Sequence, residues 1–200
     1  MATVTALRAR GGGRVDVELD GRPWRTVPEG VAAHVGLLPG VELDRPRLRL
    51  LRAELRRSEA VSVAARTLRV RELSVRGLDT RLERRGVAPN SRAEAIDALV
   101  RAGIVDDERF AANRARSLAE RRRGDAAIRW TLEREGVAAD AIERALGTLE
   151  PERQRARRIA SERGPTRATA RFLAARGFSE DAVEEARAGD GRADDAATLG

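Results

Sequence analysis

A mainly α fold, laid out as an elongated array of three tandem three-helix repeats behind a small N-terminal β-rich module, is what this sequence predicts. Three observations predict it. The first is a recurring string of leucine, three residues, glycine and an apolar residue, at 82–87, 132–137 and 173–178. Self-similarity at a period of roughly 40–50 residues marks stacked helical units, each unable to bury its apolar face alone. The second is a change of hydrophobic period, from alternation before residue 45 to helical spacing after it. The third is the apolar content of 42%, supplied mostly by Ala, Leu and Val with only five aromatics, which suits closely packed helices better than a large sandwich.

The β-rich module occupies residues 1–45. Residues 3–7 and 15–19 alternate as half-buried strands do, separated by Gly11, Gly12 and Gly13. Asp20-Gly21 is a hairpin turn, because both central positions of the tight turn favour positive φ, and residues 24–27 supply the return strand. A connecting helix follows at 46–59, capped by Asp44, with Pro46 in its first turn and Leu48, Leu51 and Leu55 along it. The first repeat, 60–104, holds a helix over 60–72 and a short one capped by Ser74 that carries Leu78 and Leu82. Its third helix starts from a Ser91/Glu94 capping box and ends at Gly103. The second repeat, 105–150, opens at Asp106 and Asp107 with Phe110 behind them, restarts at Asp125 with Ile128 and Leu132, and restarts again at Asp140. The third, 151–188, opens at Pro151 and restarts at Thr166 and at Ser179. Residues 189–200, rich in Asp, Gly and Ala, are expected to form a disordered tail.

All 39 basic residues are arginine and the formal charge is +7, a balance that favours polyanionic or acidic partners. Residues 153–176 hold eight arginines and one acid, Glu162, while residues 114–129 hold six against Glu120 and Asp125. The absence of cysteine removes disulfides, thiolate metal sites and a cysteine nucleophile. No long apolar run or signal-like leader is present, so a cytoplasmic chain without membrane contact is expected. His34, the single histidine, has no nucleophile beside it, and Gly11-Gly12-Gly13 lacks the Lys-Ser/Thr of a phosphate loop. Asp106-Asp107-Glu108 could hold a divalent cation, but acids at a helix start answer the exposed N–H groups and the positive dipole end. The expectation is a protein that is not an enzyme and uses no metal or cofactor.

The candidate binding residues are Arg114, Arg121, Arg122, Arg123, Trp130, Arg153, Arg157, Arg158, Arg167 and Arg171. The run at 121–123 ends one helix and precedes another. Its guanidinium groups either offset the dipole's negative end or offer planar forks to phosphate or carboxylate. In the third repeat Arg153 and Arg157 share one helical row and Arg155 and Arg158 another. Only Ala156, Ile159 and Ala160 are left for the core, and the rest of that helix is solvated or docked on something acidic. Aligning the repeats places Leu78/Leu82, Ile128/Leu132 and Thr169/Leu173 inward. Trp130 then falls in register with Thr80 and Arg171, where it packs between repeats or stacks on a base or partner.

Residues 105–111, Val-Asp-Asp-Glu-Arg-Phe-Ala, resemble the most recognisable string of the RecX family of bacterial regulators. Arg71-Glu-Leu-Ser-Val-Arg76, Leu82-Glu-Arg-Arg-Gly-Val87 and Ile128-Arg-Trp-Thr-Leu132 with Gly136-Val137 are similar to its strings in the same order, and the likeness covers roughly residues 60–187. Gly124-Asp125 stands where the family usually has Gly-Pro, and the third repeat is the least alike. The resemblance implies tandem three-helix repeats and a partner of the RecA recombinase filament that also binds single- and double-stranded DNA; the chain is expected to act as a monomer. It further implies restraint of ATP hydrolysis and strand exchange in recombination and DNA repair.

Overall fold

The computed structural model describes residues 2–188, so the tail expected at 189–200 lies outside the described residues. The chain divides into two compact units, one running to Arg71 with Leu78–Ile104, the other comprising Glu72–Gly77 and the chain from Val105.

In the first unit, β1 (Ala2–Arg10), β2 (Arg14–Leu19), β3 (Arg22–Pro28) and β4 (Glu42–Leu43) form an antiparallel sheet in the order β3-β2-β1-β4. The β2–β3 hairpin turns on Asp20 and Gly21, at φ 48° and 76°, as their residue types require. A short helix, α1 (Glu29–Val35), occupies a stretch where the sequence shows only turn punctuation; seven residues are too few to display a period. Val31, Ala32 and Val35 close one sheet face with Val4, Val17, Val27, Leu37, Leu43 and Leu51.

Where two helices are expected at 46–59 and 60–72, a single helix, α2 (Arg45–Leu68), runs unbroken from the Asp44 cap. Nothing after Pro46 interrupts it, and its length lets Leu51 join the sheet core while Ala60 and Ala64 are buried two turns and more further on. It packs against α4 (Pro89–Arg101), which α3 (Val75–Glu83) precedes. Ser91 is buried inside α4 and forms no capping box at its start, because Pro89 at the first turn already begins the helix from Ala88.

The second unit contains α5 (Asp107–Glu120), α6 (Asp125–Arg134), α7 (Ala139–Gly147), α8 (Glu152–Arg163), α9 (Arg167–Ala175) and α10 (Glu180–Ala188). Phe110, Ala111, Ala115, Leu118, Ile128 and Leu132 lead one core, and Ala156, Ile159, Leu173, Phe178 and Ala182 another. Asp106 caps α5, accepting from the Glu108 and Arg109 N–H groups, and Thr166 caps α9 through the Thr169 N–H. Asp125 and Asp140 sit inside their helices rather than at the caps, which Gly124 and Ala138 provide; both acids still lie in the first turn, where the helix dipole favours them.

The recurring Leu-x-x-x-Gly string has one conformational cause. Gly86, Gly136 and Gly177 have φ of 76°, 84° and 81°. The N–H of the following Val87, Val137 or Phe178 reaches back to the carbonyl of Leu82, Leu132 or Leu173, the six-to-one bond of a Schellman turn. Those leucines are 0–1% exposed, so the string joins a core anchor to the reversal that ends the helix.

Candidate functional site

Two joints inside the second unit set the frame. At the first, Asp107 Oδ1 accepts the Val75 N–H at 2.7 Å, so an acid from the start of α5 caps α3. Ser74 Oγ donates to the Glu135 carbonyl and accepts from the Gly77 N–H, and the Arg76 stem lies against Gly136. At the second, Glu152 Oε1 accepts the Asp125 N–H at 2.6 Å, so an acid from the start of α8 caps α6 in the same way. Here the contact is backbone on backbone: the Gly124 and Ala126 N–H groups donate to the Arg176 and Gly177 carbonyls at 2.9 and 3.2 Å. The acids at a repeat start are therefore caps, Asp106 for its own helix and Asp107 for α3. Among the described residues no group of three or more His, Asp or Glu side chains is placed to hold a metal.

The joints account for several candidate arginines. Arg114 makes a two-point contact with Glu135 at 2.8 and 3.1 Å, tying α5 to the end of α6. Arg153 pairs with Asp181 at 3.0 Å, Arg157 with Glu185, and Arg158 with Glu150 at 2.6 Å. The expectation that Arg155 is solvated or docked is overturned. It is 3% exposed, pairs with Asp125, donates to the Glu150 and Arg123 carbonyls at 2.9 Å each, and lies 5.7 Å from the Phe178 ring centre. The long stem fills core space while the fork satisfies three acceptors, which is what a buried guanidinium requires. Burial raises the Asp125 carboxyl above its ordinary value, against the opposing pull of Arg155.

Other cations remain at the surface. Arg121, Arg123, Arg167 and Arg171 are exposed, with no carboxylate partner among the described residues. Arg122 reaches Glu162 at 2.7 Å from a backbone at φ 59°. Two arginines that the sequence pattern did not single out complete this surface. The Arg163 and Arg176 guanidiniums stand 4.3 and 4.8 Å from the centre of the Phe172 ring, and Arg176 also donates to the Arg121 carbonyl at 2.9 Å. Phe172 and Arg176 are an i, i+4 pair on α9, a signal visible in the sequence; the meeting with residues 121–123 depends on the joint and is not.

Trp130 is 57% exposed on α6, with the Arg134 guanidinium 4.6 Å from its ring centre. More than half of the Trp130 surface is therefore open to a partner. Arg129 on the same helix is held by Glu143 at 2.9 and 3.2 Å, which lowers the Glu143 carboxyl below its ordinary range.

Fold and surface together define a class: a small protein of tandem three-helix repeats joined through carboxylate-capped helix starts, with guanidinium groups gathered at its loops. No helix of the described residues is long and apolar enough to cross a membrane. The family model for the second three-helix domain of RecX matches residues 106–146, which takes in α5, α6 and most of α7. Regulatory protein RecX of Halorhodospira halophila is 35% identical over 142 residues, covering 66% of this chain and 88% of the relative. Its counterpart in Chromohalobacter salexigens is 36% identical over 141 residues, covering 66% and 90%. For the Mycolicibacterium smegmatis protein the match is 34% over 111 residues and spans only 59% of that relative's length. A crystal structure of regulatory protein RecX superposes with a TM-score of 0.80 at 22% identity, over 92% of this chain and 98% of the other. The chain belongs to the RecX family of regulatory proteins.

Proposed function

We propose that this chain is a non-enzymatic regulator that binds the RecA recombinase filament and DNA, and so restrains RecA ATP hydrolysis and strand exchange during recombination and repair. The observation that carries the reading is the set of guanidiniums without carboxylate partners on a RecX-family scaffold: Arg121, Arg123, Arg163, Arg167, Arg171 and Arg176. Arginine forks suit the acidic groups of a protein partner and the phosphates of DNA alike. Trp130, backed by Arg134, supplies an exposed aromatic anchor of the kind enriched at protein interfaces. Such a protein acts in the cytoplasm as a single chain and needs no cofactor, since binding alone holds filament protomers in one arrangement.

The test is RecA ATPase and strand exchange at stoichiometric ratios of the purified chain. Both rates should fall, and Trp130→Ala should weaken the effect severalfold. Unchanged rates with the parent protein would remove the RecA reading. Protection of one duplex sequence without RecA would point instead to a stand-alone DNA-binding protein.

A further inference from the structure

We propose that the junction of the α5–α6 loop with the C-terminal ends of α8 and α9 is a phosphodiester-binding site, in which Arg121, Arg123, Arg163 and Arg176 grip the nucleic-acid backbone without reading bases. It deepens the reading of the chain as a DNA-binding regulator and rests on it only for the partner's class.

Charge makes the first argument. Arg121, Arg122, Arg123, Arg155, Arg163 and Arg176 meet four acids at this junction, Glu120, Asp125, Glu152 and Glu162, an excess of two positive charges. The blander role of these arginines is to answer helix C-termini, three of which end here. Each such end carries about half a negative charge, so together they offset about three quarters of the excess. The remainder lies on exposed side chains, where it attracts an external anion.

Geometry makes the second. Two of the four gripping cations are held before any ligand arrives: Phe172 carries Arg163 and Arg176 over its ring and the Arg121 carbonyl anchors Arg176, while Glu162 anchors the neighbouring Arg122. Holding the donors in place spares the ordering cost of binding. Phe172 is half-buried and already engaged with guanidiniums, so it is a support for cations rather than a platform for bases.

Backbone conformation makes the third. Arg122 occupies the left-handed position of the turn ending α5, where its N–H donates to Ala119 and the Arg123 N–H reaches back to Leu118. It is the counterpart of Gly86, Gly136 and Gly177, yet it is arginine. A strained non-glycine residue held at such a place points toward function. The junction offers little exposed apolar surface, which suits the polar, cationic character of a nucleic-acid interface better than the apolar centre of a protein one.

The experiment measures anisotropy of a labelled oligothymidylate with the full chain, without RecA, across a salt series. R121Q/R123Q/R163Q is compared with the parent and with R49Q/R52Q/R56Q, which removes the same charge from exposed positions on α2. The junction variant should bind about tenfold more weakly at low salt, and its log–log salt slope should be shallower by about 2 if three phosphate contacts go, while the α2 variant keeps the parental slope. Circular dichroism checks helix content. If the triple variant unfolds, R121Q and R123Q singly carry the test, since neither side chain has a carboxylate partner among the described residues. Equal weakening by both triple variants, or none by the junction variant, overturns the site. So does a junction variant that keeps DNA affinity but no longer affects RecA, which would make this a protein-contact surface. A parent that binds DNA through the junction yet leaves RecA ATPase unchanged sinks the RecA reading and keeps the site.

Discussion

At the joint where α3 meets α5 and α6, side chains carry the contact: the Asp107 carboxylate, the Ser74 hydroxyl and the stem of Arg76 against Gly136. At the joint where α6 meets α8 and α9, main chain meets main chain. Gly124 and Ala126 donate to Arg176 and Gly177, and a buried Arg155–Asp125 pair lies beneath them. Both joints cap the incoming helix with an acid from the next repeat, Asp107 in one and Glu152 in the other. They differ in tolerance. A side-chain joint can give by rotamer changes, whereas a backbone joint can give only by moving a helix. The junction of arginines sits on the second kind, which fixes the spacing of its charges.

The comparison breaks most severely at Arg155. Arg155→Ala strips Asp125 and two carbonyls of their shared donor and is expected to cost about 3 kcal/mol or more in urea unfolding. A cost below that of an ordinary surface change would mean that the second joint does not depend on the buried pair. Gly124→Ala comes next, because its methyl would overlap the Gly177 and Phe178 backbone; a loss of about 2–3 kcal/mol is expected. At the side-chain joint, Gly136→Ala meets Arg76 Cδ at 2.5 Å and a positive φ, but the arginine can shift, so about 1–2 kcal/mol is expected. Gly86→Ala meets nothing within 4 Å and should cost only the left-handed strain, about 1 kcal/mol. Were Gly136→Ala and Gly124→Ala to cost the same, the distinction between the joints would fail, with Gly86→Ala as the measure of left-handed strain alone.

The smallest effect is on pH dependence. Burial raises the Asp125 carboxyl above its ordinary value, so the folded state takes up this proton before the unfolded chain does as pH falls, and this titration adds stability on acidification. Asp140 and Glu143, held below their ordinary values by hydrogen bonds from Arg144 and Arg129, act oppositely: their contribution is present at neutral pH and is lost on acidification. Asp125→Asn should therefore steepen the loss of stability with acid, measured as the slope of unfolding free energy against pH. A shallower slope would reverse the assignment.

Much of the fold was legible because its turns impose residue types. The Leu-x-x-x-Gly string is a buried anchor plus a left-handed residue, and both leave marks in one dimension. α1 was not legible because seven residues carry no period, and the unbroken α2 because a helix that changes partners along its length shows two separate apolar stripes. The arginine run at 121–123 stood out as charge, but Arg163 and Arg176 join it only through a joint linking residues more than fifty apart, such as Arg176 and Arg121. Arg155 shows the reverse error. Its neighbours make α8 read as solvated, and the Asp125 that neutralises it lies 30 residues away.

Arg122 lets two kinds of selection be told apart at one codon. A library randomised at this position and sorted only for protease resistance should enrich glycine and asparagine, which adopt φ near 59° with least strain. Sorted for retention on DNA, the same library should return arginine if its pairing with Glu162 sets the loop that carries Arg121 and Arg123. The residue recovered from each sort reports which pressure the loop answers to.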